Sequence, residues 1–136
     1  MKPVPGITLI ELLIVLAIIS IISALSIPNL QRHSDRAARN DARIALLRLA
    51  SEQQTHFIRV GRYAADLTQL GRAEPTVRTS NERYLLSVES ISESGFRLRA
   101  TLLTPGGEQQ RCAWMGLDQS QRRSSGPAGA SECWYR

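Results

Sequence analysis

The first part of the chain is dominated by one long apolar run behind a short leader. Residues 7–27 contain 16 apolar residues out of 21, and the six residues MKPVPG precede them. Because about 20 apolar residues suffice for a helix to cross a bilayer, this segment is predicted to be a transmembrane helix. One acid, Glu11, lies inside the run, and a carboxylate at the membrane centre costs at least about 2.5–3.5 kcal/mol. Glu11 is therefore predicted to have a function.

From residue 28 onward the apolar residues recur at helical spacing. An amphipathic helix is predicted over residues 28–60. It continues the first helix as one long helix with an interruption at Pro28, and Gly61 is predicted to end it. Its apolar stripe consists of Ala38, Ala42, Ala45, Leu46, Leu49, Ala50, Phe57 and Val60. A helix with such a stripe needs a second layer of structure to cover it.

After a connector at residues 61–81 the apolar period changes to two, which predicts a small antiparallel sheet over residues 82–118. Tyr84, Leu86 and Val88 share one face of the first strand. The second strand places Arg97, Arg99 and Thr101 outward and Phe96, Leu98, Ala100 and Leu102 inward. Turns are predicted at 92–95 and 104–107, and a third strand at 111–117 carries Cys112 and Trp114 on one face. The last 20 residues are predicted to be a loop, so the fold class is α+β.

The two cysteines, Cys112 and Cys133, enclose 20 residues. An even pair in an exported chain predicts a disulfide, which would bound a loop at residues 112–133. A metal site is not predicted, because no CxxC occurs and His33 and His56 are far from the cysteines in sequence.

Basic residues outnumber acids, and they are almost all arginine. Of the 17 basic residues 16 are arginine, and loss of Lys2 with the leader leaves 16 − 12 = +4. Arginine binds phosphate well, so Arg97, Arg99, Arg122 and Arg123 are candidate DNA-binding residues. No aromatic platform interleaves them in sequence, and a solvated basic surface is the alternative. No catalytic or cofactor-binding motif occurs, so neither an enzyme nor a cofactor is predicted.

The N-terminal motif G|ITLIE combines Gly6, Glu11 at the fifth position after it, and Pro28 at the end of the apolar run. It resembles the class III signal and N-terminal helix of type IV prepilins, whose hallmark is G|FTLIE; Ile7 replaces the usual phenylalanine. A secretory signal peptide fits less well, since its apolar core is shorter and ends in small residues.

The resemblance implies the type IV pilin fold. In that fold a long N-terminal helix, half transmembrane and half amphipathic, packs on a small antiparallel sheet with a C-terminal disulfide-bounded loop. It also implies a leader at residues 1–6, cleavage between Gly6 and Ile7, methylation of the Ile7 amine, and a partnership of that amine with Glu11 of a neighbouring subunit. Pro28 matches the helix-kinking proline. The connector resembles the αβ loop, with Tyr63, Leu67 and Leu70 as packing residues.

The late disulfide and terminal Cys133-Trp134 resemble PilE- and ComP-like minor pilins. That resemblance implies a subunit that enters or primes a type IV pilus serving adhesion, twitching motility or DNA uptake. It implies an inner-membrane precursor with a periplasmic domain at residues 28–136, and later a pilus location at the cell surface. The implied partners are other pilins, prepilin peptidase, the inner-membrane assembly machinery and the lipid bilayer. A DNA-binding competence pilin is the first alternative; a type II secretion pseudopilin is the second, disfavoured by the disulfide loop.

Overall fold

The structure, a computed structural model, describes residues 6–104 and 110–135, without the side chains of residues 25–32. The chain divides into two units that meet between Ser34 and Asp35. One helix, α1 (Leu9–Val60), contributes to both units. The predicted leader at residues 1–6 and the turn at 104–107 lie largely outside the described residues.

Helix α1 continues through Pro28 without a break in its helical assignment. The single long helix predicted from about residue 7 to residue 60 is therefore confirmed, and at the level of secondary structure Pro28 does not interrupt it, because a proline removes only one backbone donor from the helical ladder and the neighbouring turns can continue. Pro28 has no described side chain, so its role in assembly stays a prediction.

Within the part of the chain that the structure describes, none of the helices has both the length and the apolar character needed to cross a membrane. The span predicted over residues 7–27 thus stays a prediction.

The second unit is a helix layered on an antiparallel sheet of five strands in the order β1-β2-β3-β4-β5. The strands are β1 (Val77–Arg78), β2 (Tyr84–Ser92), β3 (Gly95–Leu102), β4 (Cys112–Asp118) and β5 (Arg123–Pro127). A 3-10 turn (Leu67–Leu70) lies in the connector, and a short helix, α2 (Ala130–Tyr135), ends the described chain. The α+β class and the pilin-type arrangement of helix, sheet and disulfide are confirmed.

The apolar stripe of α1 forms one wall of the core. Ala38, Ala42, Leu46 and Leu49 are buried, as predicted, and pack with the inward residues of β2, β3 and β4. Val60, predicted to belong to this stripe, is 50% exposed. The helix ends there, beyond the edge of the covered surface.

The αβ loop packs as the resemblance implies. Tyr63 and Leu67 are buried and Leu70 is partly buried. The Tyr63 ring stacks on Phe57 of α1, with centroids 4.6 Å apart, and meets the edge of Phe96 of β3 at 5.1 Å. This aromatic column connects helix, loop and sheet.

Gln53 is a buried polar residue of α1 that the apolar spacing does not predict. Its side-chain amide donates to the Ala64 carbonyl at 2.9 Å and its carbonyl accepts from the Ala64 N–H at 2.8 Å. Both backbone groups of Ala64 are thus satisfied in a buried place.

Gln53→Ala is expected to lower the free energy of unfolding by about 2–3 kcal/mol, because it leaves buried backbone groups without partners. Chemical denaturation of the full-length chain in neutral detergent, followed by tryptophan fluorescence, measures this. Gln54→Ala is the matched control, since Gln54 is exposed. Equal effects of the two substitutions would contradict the role given to Gln53.

Two elements near the C-terminus differ from the predicted loop. Residues Arg123–Pro127 form the fifth strand, and Ala130–Tyr135 form a helix. The register between β4 and β5 shifts between Cys112 and Trp114, which is the mark of a β-bulge. The predicted sharing of one face by these two residues is wrong for this reason: Cys112 is in the core, whereas Trp114 lies on the outer face beside Arg99.

Cys112 and Cys133 form a disulfide, as the sequence predicts. Arg43 of α1 donates from Nε to the Cys133 carbonyl at 2.9 Å, and the Tyr84 hydroxyl donates to the Cys112 carbonyl at 3.0 Å. Burial raises the pKa of the Tyr84 hydroxyl, which therefore keeps its proton for this bond. The helix and β2 thus both hold the disulfide region.

Replacing both cysteines by serine is expected to lower the free energy of unfolding by about 3 kcal/mol, the value for a loop of this length in the chain-entropy model. The same denaturation measurement applies, since Trp114 and Trp134 lie within two residues of Cys112 and Cys133 respectively. An unchanged midpoint would show that hydrogen bonding and core packing hold this region without the disulfide.

Candidate functional site

The N-terminal motif also forms the start of the helix. Thr8 precedes α1, and the Glu11 amide donates to Thr8 Oγ1 at 3.4 Å. The spacing Thr8-x-x-Glu11 is that of a capping box, and an acid in the first turn is favoured by the helix dipole. Thr8 is not among the site residues predicted from the sequence, although this spacing could have indicated it.

The helix that follows the motif exposes apolar side chains all round within the first unit. The large apolar residues between Ile7 and Ile22 have relative exposures from 48% to 78%. Glu11 and Gly6 are exposed among them, and nothing lies within 4 Å of a Cβ placed on Gly6. A helix that is apolar on every side is typical of one covered by lipid or by other helices.

A second candidate site is a polar groove on the face of the sheet that points away from α1. We call it the outer groove; it has a volume of about 210 Å³. Its lining consists of Glu89, Arg97, Arg99, Trp114, Asp118, Arg122 and Ser124. The alternation of β3 places Arg97 and Arg99 in this groove, because Leu98, between them, and Ala100, after Arg99, are buried on the inner face.

Arg99 is held from two directions in the outer groove. Its guanidinium pairs with the Glu89 carboxylate and lies 4.4 Å from the centroid of the Trp114 ring. Arg97 Nε is 4.0 Å from the same carboxylate. Glu89 and Trp114 are not among the site residues predicted from the sequence, because their contacts depend on strand register.

Gly126 of β5 makes room for the Trp114 ring. A Cβ at Gly126 would lie 2.5 Å from Trp114 Nε1, so the indole packs directly against this backbone. The ring is therefore fixed between β5 and the Arg99 guanidinium.

The four candidate DNA-binding arginines do not form one group. Arg97, Arg99 and Arg122 line the outer groove. Among the described residues, the exposed Arg122 guanidinium has no ion pair or hydrogen bond. Arg123 is placed apart, with its guanidinium 5.5 Å from the Trp134 ring and 5.0 Å from the Tyr135 ring. The fold thus supplies aromatic neighbours that the linear sequence does not show.

In the described segments, no group of three or more His, Cys, Asp or Glu residues is arranged to hold a metal ion. His33 is exposed, and His56 is buried with its Nδ1 unpartnered.

Two family models match the chain. The model described as "Type IV minor pilin ComP, DNA uptake sequence receptor" matches residues 28–116, and the "Prokaryotic N-terminal methylation motif" matches residues 1–27.

Two individual proteins are also similar. The type IV major pilin protein PilA of Myxococcus xanthus (strain DK1622) is 38% identical over 68 residues, which cover 50% of this chain and 31% of that protein. A type IV pilin structure from Shewanella oneidensis has 24% identity and a TM-score of 0.48, and the alignment covers 75% of this chain and 99% of that one. Because the minor-pilin model alone matches more than half of the residues, the chain belongs to the type IV minor pilin family ComP.

Proposed function

We propose that the chain is made as a membrane-anchored prepilin, cut by prepilin peptidase between Gly6 and Ile7, methylated on the new amine, and then built into a type IV pilus. The leader is residues 1–6, the membrane and assembly helix residues 7–27, and the pilin domain residues 28–136. The single observation that carries this proposal is the exposed, all-round apolar surface of α1 directly after Gly6.

The exposed apolar surface fits both stages of this life cycle. In the inner membrane, lipid tails cover the helix while the pilin domain lies in the periplasm. In the pilus, the helices of other pilins cover it instead. The inner-membrane assembly machinery moves the subunit from the first state to the second.

Glu11 sets the stagger of the helices in the pilus. A carboxylate within an apolar bundle is costly unless a positive group faces it. Cleavage after Gly6 creates an α-amine on Ile7, directly before the N-cap residue Thr8. When the amine of one subunit meets Glu11 of its neighbour, every other stagger leaves both charges unpaired and is penalised.

The direct test of this function is whether the chain is found in sheared pili. It is expected in the sheared filament fraction together with the major pilin, while a soluble periplasmic protein, the control, is absent. Its deletion is expected to reduce piliation, adhesion or twitching motility and to leave type II secretion intact. Loss of secretion with normal pili would favour the pseudopilin alternative.

A second candidate function is DNA binding by the outer groove. Two observations favour it: Arg97, Arg99 and Arg122 share this groove, and the matching family model is described as a DNA uptake sequence receptor. Trp114 supplies the aromatic neighbour that arginine-rich nucleic-acid sites commonly contain. In this role the minor pilin would capture DNA at the pilus surface.

Arg122→Ala is expected to weaken duplex DNA binding about tenfold across sequences, since a hydrogen bond to a charged group contributes about 1.5 kcal/mol or more. The salt slope should also fall by about one. Arg123→Ala is the control with the same charge change, and it should have little effect because Arg123 lies apart from the groove. A gel-shift titration of the full-length chain in neutral detergent measures both. If wild type gives no shift at low salt, DNA is not its partner.

A further inference from the structure

We propose that Glu89 is a built-in competitor for DNA: its carboxylate occupies Arg97 and Arg99 and has to give way when a backbone phosphate binds. This inference rests on the proposed DNA-binding function and adds to it a residue that sets the strength of the groove.

Glu89 owes its position to an irregularity in β2. The register between β2 and β3 shifts between Val88 and Ser90, so Glu89 is the unpaired residue of a β-bulge. Bulges redirect side chains locally. Here the Glu89 carboxylate reaches both arginines of β3, bonding to Arg99 and lying 4.0 Å from Arg97 Nε.

Within the described part of the chain, Asp118, the other acid of the groove, stabilises the backbone instead of pairing with the arginines of β3. Asp118 Oδ1 accepts the backbone N–H of Ser120 and of Arg122, both at 2.9 Å, and so fixes the turn before β5. Glu89 is not used in this way, and its side chain is 27% exposed. It is therefore the acid that can leave its arginines without disturbing the backbone.

The charge balance of the groove lets the Glu89 carboxylate control how strongly the groove attracts phosphate. The groove lining has three arginines and two acids, which gives 3 − 2 = +1. Release of the Glu89 carboxylate frees two of these arginines together, and loss of its charge raises the balance to +2. A groove with so small an excess attracts phosphate weakly until this acid is displaced.

Trp114 keeps the Arg99 guanidinium oriented while phosphate replaces the Glu89 carboxylate. The guanidinium lies over the indole, which is itself packed against Gly126. A phosphate that takes the place of the carboxylate finds the planar donor group already oriented, so little side-chain ordering is needed.

The test compares DNA binding after substitution of Glu89 and of Glu82. Fluorescence anisotropy with a labelled duplex of mixed sequence measures binding by the full-length chain in neutral detergent over a range of salt concentrations. Glu89→Gln is expected to tighten binding at low salt about fivefold, because phosphate no longer has to displace a carboxylate, and to leave the salt slope close to that of wild type, because the same arginines contact phosphate in both. Glu82→Gln is the matched control, because it removes the same charge and releases Arg78, 3.8 Å away, outside the groove.

A second comparison isolates the mechanism. On a background of Arg97→Ala with Arg99→Ala, Glu89→Gln is expected to have no effect, since the arginines for which it competes are gone. If Glu89→Gln and Glu82→Gln tighten binding equally, general charge is responsible and the proposal is overturned, although wild-type binding would still support the DNA function. If wild type does not bind DNA at low salt, both the DNA function and this proposal are overturned.

Soluble poly-glutamate, measured in the same way, identifies a different occupant. Tightening of poly-glutamate binding by Glu89→Gln with no change toward DNA would mean that the groove receives an acidic protein surface. That result would also overturn the proposal.

Discussion

Replacing Gly6 by arginine is expected to leave the chain in the membrane with its six-residue leader attached and to abolish its recovery in sheared pili. The peptidase has to approach the Gly6 carbonyl closely, and a long charged side chain next to that bond obstructs the approach. No α-amine then forms on Ile7, so Glu11 of a neighbour has no partner. Mass spectrometry of membrane-extracted protein and blotting of the sheared fraction measure the two effects.

Val4→Ala is the matched control for Gly6→Arg, since it alters the leader without adding bulk or charge beside the cleaved bond. It is expected to be processed and incorporated normally. Normal cleavage of Gly6→Arg after residue 6 would show that the glycine is not required by the peptidase.

Replacing Glu11 by valine or by glutamine is expected to keep the chain in the membrane but to reduce its incorporation into pili by about a hundredfold or more. The reason is that removing one partner of a buried ion pair leaves the other charge uncompensated, which costs about 3–5 kcal/mol. Quantitative blotting of sheared pili against the membrane fraction measures the ratio of assembled to unassembled subunit.

Glutamine is the informative substitution at this position, because it keeps the size of Glu11 and the capping-box spacing from Thr8 while removing the charge. Glu74→Gln, an exposed acid of the αβ loop, removes the same charge far along the chain and is expected to have no effect. Wild-type incorporation of Glu11→Gln would contradict the role of charge in setting the stagger of the subunits.

The features of the fold and the site that the sequence predicts depend on residues that are close together in the chain. The prepilin resemblance rests on the motif G|ITLIE, and the core face of α1 follows from apolar spacing within one helix. The alternation from Phe96 to Leu102 places Arg97 and Arg99 outward in the same way, because period-two patterning fixes sides along a single strand.

The parts that the sequence does not predict depend on pairing between distant segments. The serine and glycine content of β5 is typical of a loop, and these residues form a strand only because β4 offers them a partner. A bulge in β4 turns Cys112 to the inner face while Trp114 stays on the outer face, and a bulge in β2 brings Glu89 to its arginines. No local pattern in the chain indicates where a strand takes an extra residue.

The positions of Arg122 and Arg123 also depend on the whole fold. Arg122 and Arg123 are neighbours in sequence and were expected to act together. In the structure one lines the groove, while the other lies beside the aromatic rings of α2. Single substitutions of Arg122 and Arg123 are therefore needed to test the two surfaces separately.

The intact mass of the subunit recovered from sheared pili tests the central claim most directly. The account predicts a chain that begins at Ile7, carries one methyl group on its amine and contains the Cys112–Cys133 disulfide. A chain that retains residues 1–6, or one cut near the end of the apolar run at residue 26, would contradict the assignment as a processed pilus subunit.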